Sequence, residues 1–421
     1  MSPVSRNSQG ILRGAFFLAA RSAGCRVDAT GGVRWSITNL NEASPMAQFS
    51  RRLFLTSLAA SGLAACGGGG GGGAPASRSG GLPADLRPAP NADYDRWVRA
   101  FYPRARGRGI TQATLDAAFR GTGYLPGVVS RDRNQTEFTR TLEDYLAIAA
   151  SDERIALGQR NFARYGDTLA AIERRYGVDR TILCAIWGLE SFYGTRMGDI
   201  PVVSATSTLA WEGRRGRFFE AQLIDALRIV QAGDIAPARL TGSWAGAMGH
   251  TQFIPTTFTD FAVDFTGDGR RDIWGADPAD ALASAANYLA RSGWTRGISW
   301  GREAPDGALQ PQPGGPRFAV TSNFAVLKRY NNSDSYAIGV GHLADRIAGG
   351  PPLQAPFPPD RYGLLKSDRI ALQRGLNRAG FDVGDADGII GRNTIAGIEA
   401  FQRARGLPVT GTPSRALLNM L

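Results

Sequence analysis

Apolar residues recur at helical spacing through most of the chain. Tyr94, Trp97, Val98 and Phe101 share one face, as do Phe138, Leu142 and Tyr145. Ile182, Leu183 and Ile186 begin another such stripe. Period-two runs, the mark of strands, are sparse; Phe318-Ala-Val-Thr-Ser322 is the best short candidate. The pattern predicts a mainly α body up to about Gly349, with long loops. Residues 350–361 are rich in proline and read as a stiff linker. Residues 362–421 then form a compact second module, which such a linker would hold as an independent tether.

One carboxylate interrupts the apolar pattern. In Ala185-Ile-Trp-Gly-Leu-Glu-Ser-Phe-Tyr-Gly194, Glu190 follows Leu183 by seven residues and Ile186 by four, so it falls on their inward stripe. Loss of hydration there is expected to raise its pKa, as a general acid for glycoside cleavage requires. On spacing alone, a helix-end Glu turned to solvent is the commoner outcome. Three downstream segments change that balance.

Gly242-Ser-Trp-Ala-Gly-Ala-Met-Gly-His-Thr-Gln-Phe-Ile-Pro255 is rich in small residues, which permits close backbone approach to a ligand. Its Ser243 and Gln252 are suited to holding a sugar or a water. Trp211, Arg214, Arg215 and Phe218 combine aromatic and guanidinium groups that suit sugar rings and carboxylates. Tyr330-Asn-Asn-Ser-Asp-Ser-Tyr336 precedes an apolar helical stripe, where capping is the simple account and lining a cleft the functional one.

Charge and composition narrow the class. The chain has 421 residues and a formal net charge of +11, which suits an anionic polymer such as a cell-wall glycan. The arginines are scattered rather than clustered, so nucleic acid is not the expected partner. Two histidines, His250 and His342, leave no H-E-x-x-H zinc motif, and no G-x-S-x-G elbow is present. The three cysteines are Cys25, Cys66 and Cys184; Cys184 reads as a small buried hydrophobe.

The N-terminal segment reads as an address. Residues 1–45 show no periodic pattern and form a doubtful extension, with Met46 standing where a start is expected. Ser50-Arg-Arg-Leu-Phe-Leu55 opens a short apolar stretch, too short to span a bilayer, that ends in Leu63-Ala-Ala-Cys66. Residues 46–66 resemble an export and lipoprotein signal in which Cys66 is lipidated. A flexible glycine-rich linker follows over residues 67–90.

Together, the segments around Arg133-Asn-Gln-Thr-Glu-Phe-Thr139, Glu190, Arg214-Arg215, Gly242–Pro255 and Tyr330–Tyr336 resemble the B-type membrane-bound lytic murein transglycosylases, glycoside hydrolase family 103. The resemblance implies a lysozyme-like catalytic core with helical subdomains over residues 91–349. It implies that Glu190 is the catalytic acid and base. It also places Ser243, Gln252, Arg214, Arg215, Phe218, Tyr330, Asn331 and Tyr336 at substrate-contacting positions. His250 and Phe218 stand where the family usually has Tyr. The implied reaction cuts the MurNAc-GlcNAc β-1,4 bond without water and closes a 1,6-anhydro ring. Hydrolysis by a muramidase, or binding without catalysis, are the alternatives. No cofactor is required for the chemistry. The expected partners are peptidoglycan strands and, through the lipid, the outer membrane on its periplasmic side; a monomer is expected.

One loop could hold metal, and a second only resembles such a loop. Asp264-Phe-Thr-Gly-Asp-Gly-Arg-Arg-Asp272 matches the front of an EF-hand loop, with Asp264, Thr266, Asp268 and the Arg270 carbonyl as ligands. The closing Glu is replaced by Gly275, so Asp277 or Asp280 must close the loop; the family analogy favours Asp280 and a structural calcium. Asp385-Ala-Asp-Gly388 reads instead as a turn before a helix near Thr394. It lies in the last segment, whose Leu372-Gln, Gly380-Phe381, Asp387-Gly388 and Phe401-Gln402 resemble the small three-helix peptidoglycan-binding domain.

Overall fold

The computed structural model describes residues 81–134 and 140–421. The export signal, Cys66, Cys25, most of the glycine-rich linker and residues 135–139 lie outside them. Sixteen α-helices run in chain order through the described residues. The first six are α1 (Ala92–Arg106), α2 (Gln112–Ala118), α3 (Pro126–Arg133), α4 (Leu142–Ala149), α5 (Asp152–Arg164) and α6 (Gly166–Tyr176). Next come α7 (Arg180–Ser191), α8 (Val202–Glu212), α9 (Gly216–Ala232), α10 (Pro255–Phe261) and α11 (Ala279–Arg291). The body closes with α12 (Ser322–Tyr330) and α13 (Asp334–Ile347), and the terminal module is α14 (Lys366–Arg378), α15 (Arg392–Ala404) and α16 (Arg415–Leu418). Among the described residues, named strands form two antiparallel pairs, β1 (Ile200–Pro201) with β2 (Thr241–Gly242) and β3 (Gly301–Glu303) with β4 (Phe318–Val320). The fold is therefore mainly α, and the one strand expected from sequence is β4.

Helix α7 is the axis of the body. Asp179 caps it by accepting the Thr181 amide at 2.7 Å. Every residue from Ile182 to Leu189 is buried, because α5, α6, α11 and α13 pack around it. A helix apolar on all sides needs such enclosure. Cys184 lies inside this packing, and burial pushes its thiol up to about 12, as befits a small hydrophobe. A second apolar cluster joins Leu125, Val128, Leu209, Phe219 and Trp244, and a third fills the module around Leu372, Leu376, Ile398 and Phe401.

The proline-rich segment departs from the independent tether expected of it. The amides of Gln354 and Ala355 donate to the two Glu303 oxygens at 2.7 and 2.8 Å. Leu353 and Phe357 pack against the main core. Proline stiffness is here used to lay the chain along the body, because apolar side chains between the prolines find a surface to cover.

Candidate active site

Glu190 stands on the last turn of α7, half-buried. Directly after the helix, Phe192 and Tyr193 adopt left-handed backbone, with φ of 50° and 57°. Such conformations cost of order 1–3 kcal/mol each for non-glycine residues and persist only where the surroundings enforce them. Here the enforcement is visible. The Phe192 amide donates to Gly188 O at 3.1 Å. Tyr193 Oη donates to Arg154 O at 3.0 Å, and Ser191 Oγ donates to His250 O at 2.7 Å. The chain is thus turned away immediately past the carboxylate.

Tyr336, on the first turn of α13, donates its hydroxyl to Glu190 Oε1 at 2.7 Å. Ser333 caps that helix by accepting the Tyr336 amide, so the capping account of this segment and a role at the carboxylate both hold. Tyr330 ends α12; its ring stacks on Tyr336 at 6.4 Å and 5°, and its hydroxyl donates to Thr251 O at 2.7 Å. Tyr330, Asn331 and Tyr336 are all buried. Tyr336 and, through its ring, Tyr330 thus support Glu190 from α13 and α12.

Tyr145 on α4 adds a group that periodicity had marked only as core. Its hydroxyl is buried without a partner among the described residues. Burial first, and then the charge of Glu190, push its pKa up. Its ring lies on α13 at Gly339, where an added Cβ would sit 2.7 Å from Tyr145 Cε1. Tyr145, Glu190 and Tyr336 therefore converge from three helices.

The glycine-rich loop passes beside the exit of α7. Pairing of Ile200 with Gly242 holds its start, and a Cβ at Gly198 would meet Gly242 O at 2.3 Å, so only glycine permits this approach. Ser243 Oγ accepts the Ala247 amide at 3.1 Å and shapes the turn. Gln252, at φ 51°, donates its amide to Met197 O at 3.0 Å and Gly249 O at 2.8 Å. Both residues lie in the expected loop and are half-buried, and these bonds fasten the loop to itself and to Met197. His250 Nδ1 accepts the Trp187 indole N–H at 3.0 Å, so its Nε2 carries the hydrogen that faces Gly275 O at 2.7 Å. The histidine ties α7 to the acidic loop. Burial lowers its pKa, against the opposing pull of Gly275 O, Asp272 and Asp277.

Arg214 and Arg215 follow α8 and converge on Asp132, a fully buried residue of α3 that sequence reasoning missed. Arg214 Nε donates to Asp132 Oδ2 at 2.8 Å, and Arg215 Nη2 pairs with Oδ1. Nothing in the sequence distinguishes Asp132 from neighbouring surface acids. Arg215 also lies over the ring of Phe219, while Phe218 is half-buried beside it.

Asp264, Asp268 and Asp280 bring carboxylate oxygens within 4.8 Å of one another. Asp264 accepts the amides of Gly267 and Gly269 at 2.6 and 2.8 Å, and Asp280 those of Phe265, Thr266 and Asp272. Backbone donors thus hold the acids together, and three convergent hard oxygen donors fit a cation such as calcium. Thr266 turns its hydroxyl to Asp264 at 3.4 Å, and Arg270 bonds Asp268 through its amide at 2.9 Å.

The transglycosylase SLT domain family matches residues 93–309 and 304–345, which include Glu190, Tyr336 and the glycine-rich loop. The chain belongs to that family. A peptidoglycan binding domain family matches residues 366–421. Among solved structures, SltB3 from Pseudomonas aeruginosa in complex with NAG-NAM-pentapeptide is 42% identical, with a TM-score of 0.62 over 78% of this chain and 100% of that one. The Escherichia coli lytic transglycosylase Slt35 in complex with calcium is 27% identical, with a TM-score of 0.51 over 61% of this chain and 93% of that one. Membrane-bound lytic murein transglycosylase B of Escherichia coli is 31% identical over 223 residues, 44% of this chain. The match spans 61% of that protein's length.

Proposed function

We propose that this chain cleaves the β-1,4 bond between N-acetylmuramic acid and N-acetylglucosamine in peptidoglycan without consuming water. The observation that carries the reading is the single carboxylate Glu190, held by Tyr336 at 2.7 Å directly after the buried apolar run Ile182–Leu189. The buried acids of the described residues are committed elsewhere: Asp132 to Arg214 and Arg215, Asp225 to Arg228, Asp234 to Arg271, and Asp280 to backbone amides. A two-carboxylate hydrolysis needs a partner acid facing the first across the sugar. One carboxylate suffices if the nucleophile is the sugar's own hydroxyl.

In the first step Glu190 gives its proton to the bridging oxygen as the C1–O bond of the muramic residue breaks. In the second, the C6 hydroxyl of that residue attacks C1, and the Glu190 carboxylate takes the hydroxyl proton. The acid is regenerated and a 1,6-anhydro ring results. The hydrogen bond from Tyr336 fixes the rotamer of Glu190 through both steps. Ser243, Gln252, Arg214 and Arg215 lie on the loops, and Phe218 on the first turn of α9, that would hold the strand. Tyr336 holds the carboxylate directly and Tyr330 backs Tyr336, with Asn331 beside them in the chain.

The likeness to SltB3 with a bound peptidoglycan fragment supports the substrate class, and the likeness to Slt35 with calcium supports a structural ion at Asp264, Asp268 and Asp280. Export to the periplasm and attachment to the outer membrane through Cys66 complete the reading. Mass analysis of fragments released from purified sacculi tests it. Anhydro products, lighter by one water, are expected; reducing-end products alone would replace the reading with hydrolysis.

A further inference from the structure

Arg369 belongs to the terminal module, yet its side chain is 2% exposed and points into the catalytic body. Its Nη2 contacts Glu143 Oε2 at 2.7 Å and Asp144 Oδ1 at 3.0 Å. Nη1 faces Asp360 Oδ2 at 3.3 Å, and Nε donates to Gly388 O at 2.6 Å. A guanidinium has five N–H groups in a fixed fork, and burial is tolerable only when they are met. Here one side of the fork reads the module and its connector, and the other reads two acids at the start of α4.

Those acids immediately precede Tyr145. The Tyr145 ring packs on Gly339 of α13, one turn beyond Tyr336, which itself holds Glu190. A continuous path of contacts therefore runs from the module through α4 to the catalytic carboxylate. The connector supports it, since Glu303 accepts the Gln354 and Ala355 amides.

We infer that Arg369 is a positioning residue for the reaction: by clamping Glu143 and Asp144 it seats α4, and with it Tyr145, against Glu190. The module then completes the cleft in addition to any binding of wall polymer. This inference rests on the proposed cleavage. It differs from tethering in a measurable way. A tether raises the local concentration of a large insoluble substrate and leaves turnover of a small soluble one alone. Loss of the clamp lowers turnover on both, because misplacement of a group by about 1 Å can cost up to about 100-fold.

The test uses the full chain and a soluble peptide-bearing tetrasaccharide too short to bridge cleft and module. Arg369→Gln and Glu143→Gln are each expected to lower kcat about tenfold with little change in KM. The double variant is expected to be no worse than the worse single, since both remove one contact. Glu143→Gln leaves the module's own residues intact, so its binding to sacculi is expected to match the wild type and to separate loss of the clamp from unfolding. Unchanged kcat in both variants, or fully additive losses, would overturn the inference while leaving the cleavage reading in place. Amide hydrogen exchange over residues 142–149 is a second readout that needs no activity. It is expected to speed up in Arg369→Gln, and unchanged exchange there would also overturn the clamp even if the wild type proved inactive.

Discussion

Tyr336 Oη lies 2.7 Å from Glu190 Oε1, although 146 residues separate the two in the chain. The bond joins the end of one buried helix to the start of another, and both ends are fixed: Ser333 caps α13, and left-handed residues stop α7. Glu190→Gln keeps the side-chain shape but cannot donate and recover the proton. Since one group serves both steps, turnover should fall by about 10⁴-fold, the upper range of acid–base assistance. Tyr336→Phe removes one hydrogen bond to a charged group, worth about 1.5–3 kcal/mol, so a loss of roughly 10- to 100-fold is expected. Release of anhydromuropeptides measures both. Wild-type turnover in Glu190→Gln would remove it from its assigned role.

That pair shows how far sequence reading reaches. The helix bearing Glu190 is legible because apolar spacing is local, and the loop from Gly242 to Pro255 because small residues cluster. Tyr330, Asn331 and Tyr336 are marked together by family resemblance, but their burial is not legible, since it depends on how α12 packs on α13 and α13 on α7. Asp132 and Tyr145 are illegible for the same reason: an acid among surface acids and an aromatic on a core stripe acquire meaning only through partners distant in sequence. The connector misleads because proline content reports stiffness and not what the chain lies against.

Both histidines of the chain are buried, and burial lowers both, which sets the sign of their own contribution to the acid response. Burial, aided by Arg346 and opposed by Glu303, lowers His342 from 6.5 to about 4, and burial also lowers His250. Between those values the unfolded chain binds more protons than the folded one, so stability is present above the unfolded value and is lost as pH falls from 6.5 towards 4. At about 1.4 kcal/mol per unit, His342 contributes a loss of up to about 3 kcal/mol. His342→Gln should flatten this limb by about that amount in urea titrations at pH 7 and 4.5. A limb of unchanged steepness would rule His342 out as its source.

The anchor is tested by location. If Cys66 carries lipid, Cys66→Ala moves the protein from the membrane fraction to the soluble periplasmic one. Gly67 follows the cysteine, and the usual aspartate for inner-membrane retention is absent there, so the outer membrane is the expected destination. A Cys66→Ala protein that stayed with the membranes would need another means of attachment.

The acidic loop separates two roles of its carboxylates. Asp280 accepts three backbone amides, so its loss would unsettle the loop with or without an ion. Among the described residues the Asp268 carboxylate accepts the Arg270 amide alone, at 2.9 Å, and is exposed, so its removal should cost the ion-free fold little. With Asp264 and Asp280 it forms a cluster whose mutual repulsion a divalent cation would offset. Calcium at about 100 times its dissociation constant should then stabilise the wild type by about 2.7 kcal/mol, seen as a higher Tm. Asp268→Ala should melt near the wild type without calcium and fail to gain with it. Magnesium, which resists giving up its waters, should give a smaller shift in the wild type. If Asp268→Ala gained as much from calcium as the wild type, the ion would bind elsewhere and the loop would be a turn held by its own backbone.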